Sequence, residues 1–393
     1  MRIAVLSAQR GVVGGVETYL RWLLPELREK GHRLALGYRY EAADPALAID
    51  RGVELDAEFV TTESGRGALE RFAPDVVYAQ SFHDAELEVR LTERFKVVFF
   101  AHDYYGTCAT GLKRFVRPEL QVCDRPFGVG CVPLNYLRGC GFVRPDRLYR
   151  GVRNGFMRQS VLRQAKTVVV ASKHLRETVR AQGVPLDRVA IVPYPTLAFS
   201  PTSLEPSARE LTGRVLFLGR VVENKGLDHA ITACEIAGRK LGRRLTLDVG
   251  GAGPHEEHCR GLASKTRVDV HFHGWIDDQR KQQLFEGADA LVVPSLWPEP
   301  FGLVGIEAAC FGVPSVGYAV GGMTDWLRPG VTGQSPPNGA FRVEELADAL
   351  VQLLAEPQKH HALRVGAWRM AHEFSAEKHL SALLDVLNRA AKS

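Results

Sequence analysis

A chain of 393 residues is long enough for two domains of ordinary size, each with its own core. With 45% hydrophobic and 24% charged residues it has the composition of a soluble globular protein, and no apolar run approaches the roughly 20 residues that a membrane helix needs. A formal net charge of +5 is too mild to point to nucleic acid, so no nucleic-acid partner is expected.

The opening run Met1-Arg2-Ile3-Ala4-Val5-Leu6-Ser7 is too short for a signal peptide and is expected to be a first strand, so the expected location is the cytoplasm. Gly14-Gly15-Val16-Glu17 follows it. This is not the Gly-x-Gly-x-x-Gly dinucleotide fingerprint, and a dehydrogenase thereby loses its main support. From about Gly15 to Lys30, Val16, Leu20, Leu23, Leu24 and Leu27 fall on one helical face, while Pro25 is expected to kink or restart the helix. Glu17 suits the positive end of that helix. Further strands are predicted at Leu34–Tyr38, Asp75–Ala79, Val97–Ala101, Thr167–Ala171 and Val189–Val192. Their alternation with helical patterns predicts a parallel sheet covered by helices. His102 and Asp103 stand at the carboxyl end of one of these strands, where open parallel sheets bind ligands.

The interval 104–155 breaks the rhythm, being rich in Gly, Pro, Arg and Cys, and is read as a long loop insertion on the acceptor side. Cys108, Cys123, Cys131 and Cys140 crowd into it at spacings that match no common zinc pattern. A reducing compartment argues against structural disulfides, which leaves a metal or a redox-labile staple as an open alternative. Between Arg138 and Lys166 stand eight basic residues (Arg138, Arg144, Arg147, Arg150, Arg153, Arg158, Arg163 and Lys166) against one acid, Asp146. Segment 138–166 fits peripheral contact with an anionic membrane or a phosphate-bearing acceptor, and equally a solvated helix face.

Prolines from Pro193-Tyr194-Pro195 through Pro201 and Pro206 mark a linker. The alternation then restarts, with strands predicted at Arg214–Leu218, Leu245–Val249, Val268–Phe272, Ala290–Val293 and Ser315–Gly317, and a last helix over 375–391. The expected domains are 1–200, 207–372 and a closing segment 373–393. In the second, Gly219-Arg220 through Lys225-Gly226 places two cations five residues apart at a strand-to-helix turn, able to meet one diphosphate. Gly250-Gly251-Ala252-Gly253-Pro254 predicts a sharp turn, and His273-Gly274-Trp275-Ile276 another strand end, at which Trp275 can be simple packing. Finally, Glu299-Pro300-Phe301-Gly302-Leu303-Val304-Gly305-Ile306-Glu307 sets two glutamates with seven residues between them across a loop that becomes a helix. The helix start near Leu303 offers unpaired N–H groups to a phosphate, Gly302 permits close approach, and Glu307 can grip a diol such as a ribose.

This last stretch resembles the acidic motif of glycosyltransferase family 4, the retaining, nucleotide-sugar-dependent enzymes of GT-B fold: α/β proteins with two facing Rossmann-like domains and a cleft between them. The resemblance covers the whole chain and is most specific in the second half. It implies that Glu307 holds the nucleotide ribose, that Glu299 and His102 lie by the donor sugar, and that Arg220 and Lys225 hold the pyrophosphate. Gly14 and Gly15 match the family's glycine pair under the donor phosphates. Gly253, Ile276, Phe301, Gly302 and Leu303 complete the expected nucleotide contacts. The last helix is expected, by the same resemblance, to cross back onto the first domain. Two departures concern the acceptor side and the hinge: Tyr78-Ala79-Gln80 stands where a strand histidine is usual, and Pro193-Tyr194-Pro195-Thr196 replaces a common Asn-Gly-Val-Asp. Gly321-Gly322-Met323-Thr324-Asp325 keeps the family's distal glycine pair with Asp for Glu.

No Asp-x-Asp motif stands beside the nucleotide segments, so no metal and no cofactor are expected; the nucleotide sugar is a substrate. The resemblance implies transfer of a hexose-type sugar, UDP-linked by default and GDP-linked next, to a hydroxyl of a glycan, glycolipid or small molecule, in cell-surface polysaccharide or glycolipid synthesis. The competing readings are a nucleotide-sugar-binding scaffold and an epimerase or hydrolase on the same architecture.

Overall fold

The computed structural model describes all residues except 13, 43, 45–46, 50–55, 60–62, 82–83 and 338–340. The chain forms two compact units. The first comprises Met1–Lys113, Asp124–Pro193 and Glu377–Ser393; the second comprises Arg114–Cys123 and Tyr194–Ala376. The first therefore ends at Pro193, short of the position expected from the prolines, and takes in the closing helix from Glu377 onward.

In the first unit a seven-stranded parallel sheet runs, in spatial order, Asp56–Phe59, Arg33–Tyr40, Arg2–Gln9, Val76–Ala79, Val97–Ala101, Thr167–Val170 and Val189–Ile191. Ile3 stands opposite both Leu34 and Val76. A sheet covered on both faces needs unbroken apolar strands, and Ile3, Val5, Val77, Val98 and Phe100 are accordingly sealed from water. Helix Gly15–Glu29 buries Tyr19, Leu20, Leu23, Leu24 and Leu27 and continues unbroken through Pro25. Proline removes one intrahelical bond at about 3 kcal/mol. Several buried leucines at about 1.5–3 kcal/mol each outweigh it, and the carbonyl deprived of its partner belongs to exposed Arg21.

The interval 104–155 is more ordered than its composition suggests. It contains helix Cys131–Leu137 and the start of helix Pro145–Gln164, which carries most of the basic segment. Gly151 and Gly155 hide that second helix from pattern reading. Both are demanded by packing, since a Cβ would lie 2.5 Å from the Phe142 ring and 2.6 Å from the Phe127 ring. Residues Arg114–Cys123 leave the first unit, pair as the short hairpin Arg114–Phe115 with Gln121–Val122, and pack Leu120 and Val122 against the core of the second.

The second unit has a six-stranded parallel sheet in the order Asp269–Gly274, Thr246–Gly250, Arg214–Leu218, Ala290–Val293, Ser315–Gly317 and Gly333–Gln334. Its core joins Val215, Phe217, Leu247 and Val292 to helices Leu227–Leu241 and Val343–Leu354. Buried Asp289 accepts from Gly213 N at 2.7 Å, Arg209 Nη2 at 2.9 Å and Thr212 Oγ1 at 3.0 Å, which ties the incoming chain to the amino end of the sheet. In both sheets the strand order reverses beside the first strand of the unit, so neighbouring loops diverge there and leave room for a ligand.

Candidate active site

In the second unit the reversal falls between Arg214–Leu218 and Ala290–Val293. The loops that leave their carboxyl ends carry Arg220 and Lys225 on one side and Ser295, Trp297 and Glu299 on the other. Gly226 brings the two loops into backbone contact: its φ is +69°, and a Cβ there would fall 2.2 Å from Pro294 O. Lys225 Nζ meets Glu299 Oε1 at 2.6 Å, and the same oxygen accepts from Ser295 Oγ at 2.5 Å and from Trp297 Nε1 at 3.0 Å. Glu299 is 5% exposed, so three donors on Oε1 offset the cost of burying the charge. Among the described residues Oε2 takes no hydrogen bond, and it is the oxygen left to meet a hydroxyl. Arg220 is exposed and has no ion pair among the described residues.

Glu307 lies in helix Leu303–Cys310, whose first residue follows Gly302 at φ +85° with no side-chain cap. Its Oε2 is 2.6 Å from Lys281 Nζ. Burial raises the Glu307 pKa, and the Lys281 ammonium opposes that rise. Each predicted glutamate thus has its own lysine. Lys281, on helix Asp278–Gly287, escaped sequence reading because an isolated lysine in a polar helix carries no signal.

Trp326 was missed for the opposite reason, because its role appears only through what it touches. It donates to Phe301 O at 2.6 Å and lies beneath the helix start, where Cβ atoms on Gly302 and Gly305 would approach it to 3.1 and 2.2 Å. The glycines at 302 and 305 are the trace it leaves in the sequence. Phe301 corrects an expectation: its ring is 2% exposed and packs on Tyr194 and Phe374, at centroid distances of 5.7 and 5.6 Å. The side chain is core, and only the adjoining backbone at Gly302 and Leu303 opens the helix.

Gly253 and Gly251 serve the loops themselves. A Cβ would lie 2.2 Å from Val221 O at Gly253 and 2.0 Å from Gly219 O at Gly251, so the turn is laid backbone to backbone along the Arg220 loop. Ile276 covers the strand end, since its Cδ1 would be 2.7 Å from a Cβ on Gly250. Trp275 is 82% exposed, which removes the packing reading given for it. A further residue absent from the sequence reading is Arg114, 8% exposed, which donates to Leu296 O at 2.9 Å and stands 3.5 Å from Glu223. It ties together the loops that hold Glu299 and Lys225.

The loop ends of the first unit have another chemistry. Gly14 and Gly15 are exposed at the start of helix Gly15–Glu29, neither needs positive φ, and a Cβ on Gly15 would meet nothing within 4 Å. The fold gives no reason for glycine at Gly15. His102 follows strand Val97–Ala101; its Nε2 is hydrogen-bonded to Gln80 Oε1, and its ring lies 4.1 Å from the Phe100 ring. Burial pushes the imidazole down to about 3, so it is neutral at pH 7. Gln80 closes the run Tyr78-Ala79-Gln80, which departs from the family's strand histidine, and its role as partner of His102 was not foreseen.

Cys108, Cys123, Cys131 and Cys140 are half-buried, with Cys108 Sγ 3.4 Å from Thr110 Oγ1 and Cys140 Sγ 3.5 Å from Leu134 O. Among the described residues no group of three or more His, Cys, Asp or Glu could hold a metal ion. The basic segment is partly neutralised: Arg144 and Arg150 share Asp146 at 2.9 and 2.8 Å, and Arg153 meets Glu86 at 2.5 Å. No helix among the described residues is long and apolar enough to cross a membrane.

Comparison with known proteins agrees with this layout. The family model described as Glycosyl transferases group 1 matches residues 206–368, and that described as Glycosyl transferase 4-like domain matches residues 14–195. An uncharacterized glycosyltransferase of Methanocaldococcus jannaschii is 31% identical over 121 residues, 30% of each chain. A D-inositol 3-phosphate glycosyltransferase of Xylanimonas cellulosilytica is 30% identical over 248 residues, 58% of each chain. The chain thus spans less than two thirds of the length of these relatives. The solved structure of Anabaena HepE in complex with UDP aligns with a TM-score of 0.71 at 17% identity, covering 99% of this chain and 100% of that one. The fold is GT-B, and the chain belongs to the family-4-type glycosyltransferases.

Proposed function

We propose that the protein transfers a sugar from a nucleotide-sugar donor to a hydroxyl acceptor, with the anomeric configuration kept and without a metal ion. The observation that carries this reading is the convergence of Lys225, Ser295 and Trp297 on one oxygen of buried Glu299, beside exposed Arg220 and the uncapped helix at Gly302. Fixed cations and helix N–H groups stabilise charge that grows on a departing diphosphate, the work a divalent ion does elsewhere. In the step proposed, the bond from the anomeric carbon to the diphosphate oxygen breaks and the acceptor oxygen bonds that carbon on the same face. The acceptor proton passes to the diphosphate oxygen. Glu307 grips the ribose, Glu299 Oε2 and neutral His102 orient the sugar, and Gly14 and Gly15 leave room for the phosphates. A UDP-linked donor is proposed first, since HepE is described in complex with UDP and with UDP-glucose.

The acceptor is proposed to be a glycan, glycolipid or small molecule. Exposed Leu137, Val143 and Tyr149, at 69%, 86% and 70%, stand among Arg144, Arg147 and Arg150. That mixture suits peripheral contact with anionic lipid, and salt-sensitive sedimentation with anionic vesicles but not neutral ones checks it. The donor is tested by thermal shift across UDP- and GDP-sugars in the presence of a chelator. A rise in Tm with one donor, followed by product formation without metal, is expected. No shift with any sugar nucleotide overturns the reading, whereas binding with release of free sugar in every acceptor mixture favours the hydrolase.

A further inference from the structure

Helices Asp278–Gly287 and Leu303–Cys310 of the second unit are joined by two rungs. The charged rung is the ion pair of Lys281 and Glu307, with Nζ 2.6 Å from Oε2. The aromatic rung lies one turn further along both helices: Phe285 follows Lys281 by four residues, and Phe311, just past the end of the second helix, follows Glu307 by four. That spacing puts each ring on the same side of its helix as the charged residue before it. The rings of Phe285 and Phe311 stack with centroids 5.3 Å apart, and Phe199 meets both edge-on at 5.9 and 5.1 Å. The Lys281 ammonium stands 5.5 Å from the centre of the Phe199 ring as well. Packed rings thus fix the spacing of the two helices, and the fold delivers the lysine to the glutamate. With side chains 21% and 13% exposed, the pair is not one of the surface ion pairs that contribute almost nothing.

The state of Glu307 depends on this one cation. Burial favours its neutral acid, and Asp278, one turn before Lys281, acts in the same sense; the Lys281 ammonium opposes both. Cys310, on the helix of Glu307 itself, carries no charge, since burial pushes its thiol up to about 12. With Oε2 on Lys281, Oε1 takes no hydrogen bond among the described residues and is the oxygen left for a ligand. A carboxylate oxygen accepts from both hydroxyls of a vicinal diol, whereas a carboxylic acid brings a proton of its own and binds more weakly. Helix Asp278–Gly287 begins directly after Ile276, so the pair also spans the two elements expected to flank base and ribose.

We propose that Lys281 is a positioning residue of the donor site: it holds Glu307 ionised, occupies one carboxylate oxygen and leaves the other for a vicinal diol of the bound nucleotide. That this diol is a ribose rests on the function proposed above; the control of Glu307 by Lys281 does not.

The test is 13C NMR of the full chain labelled at the glutamate carboxyl carbon, with Glu307 assigned by the signal lost in Glu307→Gln. In Lys281→Met, which keeps the apolar stem and deletes the charge, the Glu307 carboxyl is expected to titrate at higher pH than in the native protein. Lys281→Arg restores the cation and is expected to return the titration close to its native position. Lys281→Gln serves if Lys281→Met does not fold. A native titration of Glu307 in a folded variant without the charge overturns the proposal. Affinity for UDP-glucose and GDP-glucose, whose diphosphates do not titrate in this range, is measured on the same samples at about pH 8 and about pH 6. Between these two values Lys281→Met is expected to lose about tenfold more affinity than the native protein, the gap between hydrogen bonds to a charged and to a neutral acceptor. Equal loss in both overturns the donor role of Lys281. A displaced titration in a protein that binds no sugar nucleotide sinks the transferase reading, and with it the ribose role, while Lys281 stands as the group that sets the charge of Glu307.

Discussion

The loop ends of the two sheets carry opposite chemistry. In the second unit the groups are charged and each carboxylate is matched to a lysine: Glu299 with Lys225 and Glu307 with Lys281. In the first the histidine is neutral, with His102 held by Gln80. A departing diphosphate needs fixed charge, whereas a sugar's hydroxyls need oriented donors and acceptors that do not drag counterions. The comparison teaches that these assignments can be separated experimentally, because charge and orientation respond to different perturbations.

The largest effect is expected where charge meets developing charge. Arg220→Ala and Lys225→Ala should each lower kcat/KM by about 2–4 kcal/mol, tens- to about a thousandfold. They should part company in thermal unfolding. Lys225→Ala strands a buried carboxylate and lowers Tm, whereas Arg220→Ala, removing an exposed side chain, leaves Tm in place. Equal behaviour of the two in both assays would break the distinction between a site cation that is also structural and one that is not. Next comes Glu307→Ala, expected to weaken nucleotide affinity in calorimetry by about 1.5–3 kcal/mol, the worth of hydrogen bonds to a charged group. An unaltered Kd removes the ribose role.

The neutral end should reveal itself through pH. Folded His102 and His379 have pKa values lowered by burial to about 3 and about 4 from 6.5, so below pH 6.5 the unfolded chain binds more protons than the folded one. Stability should thus be complete above about pH 6.5 and decline as pH falls toward 4. His32, His229 and His360 are shifted in the same sense. Melting curves between pH 7.5 and 5 check this, and His379→Asn should flatten the decline. The smallest effect concerns Gly15→Ala. With open space for a Cβ, Tm should stay level or rise by the equivalent of about 0.5–1 kcal/mol, while donor affinity falls. A lowered Tm would show that the fold, not a ligand, demands the glycine.

Much of this was legible in the sequence because parallel strands announce themselves as apolar runs. Arg214–Leu218, Ala290–Val293 and Ser315–Gly317 appear with the predicted bounds, and the helix after Gly302 begins at Leu303 as its glycine suggests. Asp56–Phe59 and Gly333–Gln334 were missed, the one with alternating acids and the other two residues long. The acids were found through a motif, but their lysine partners were not named as such. Lys225 was read as a phosphate ligand only, and Lys281 belongs to a helix distant in sequence from Glu307. Pairing across elements is a property of the folded chain. The same holds for Gln80, whose meaning depends on a histidine twenty-two residues away.

One feature of the chain path bears on engineering. Residues 114–123 belong to the second unit although the chain on either side belongs to the first, and Leu120 and Val122 cover part of the second unit's core while Arg114 braces the loops that carry Glu299 and Lys225. A contiguous fragment starting at Tyr194 would uncover that apolar surface and slacken the loops. Grafting specificity between relatives by swapping halves at the linker would therefore pair one protein's brace with another's loops, and a workable chimera must take this ten-residue strap from the parent that supplies the second unit.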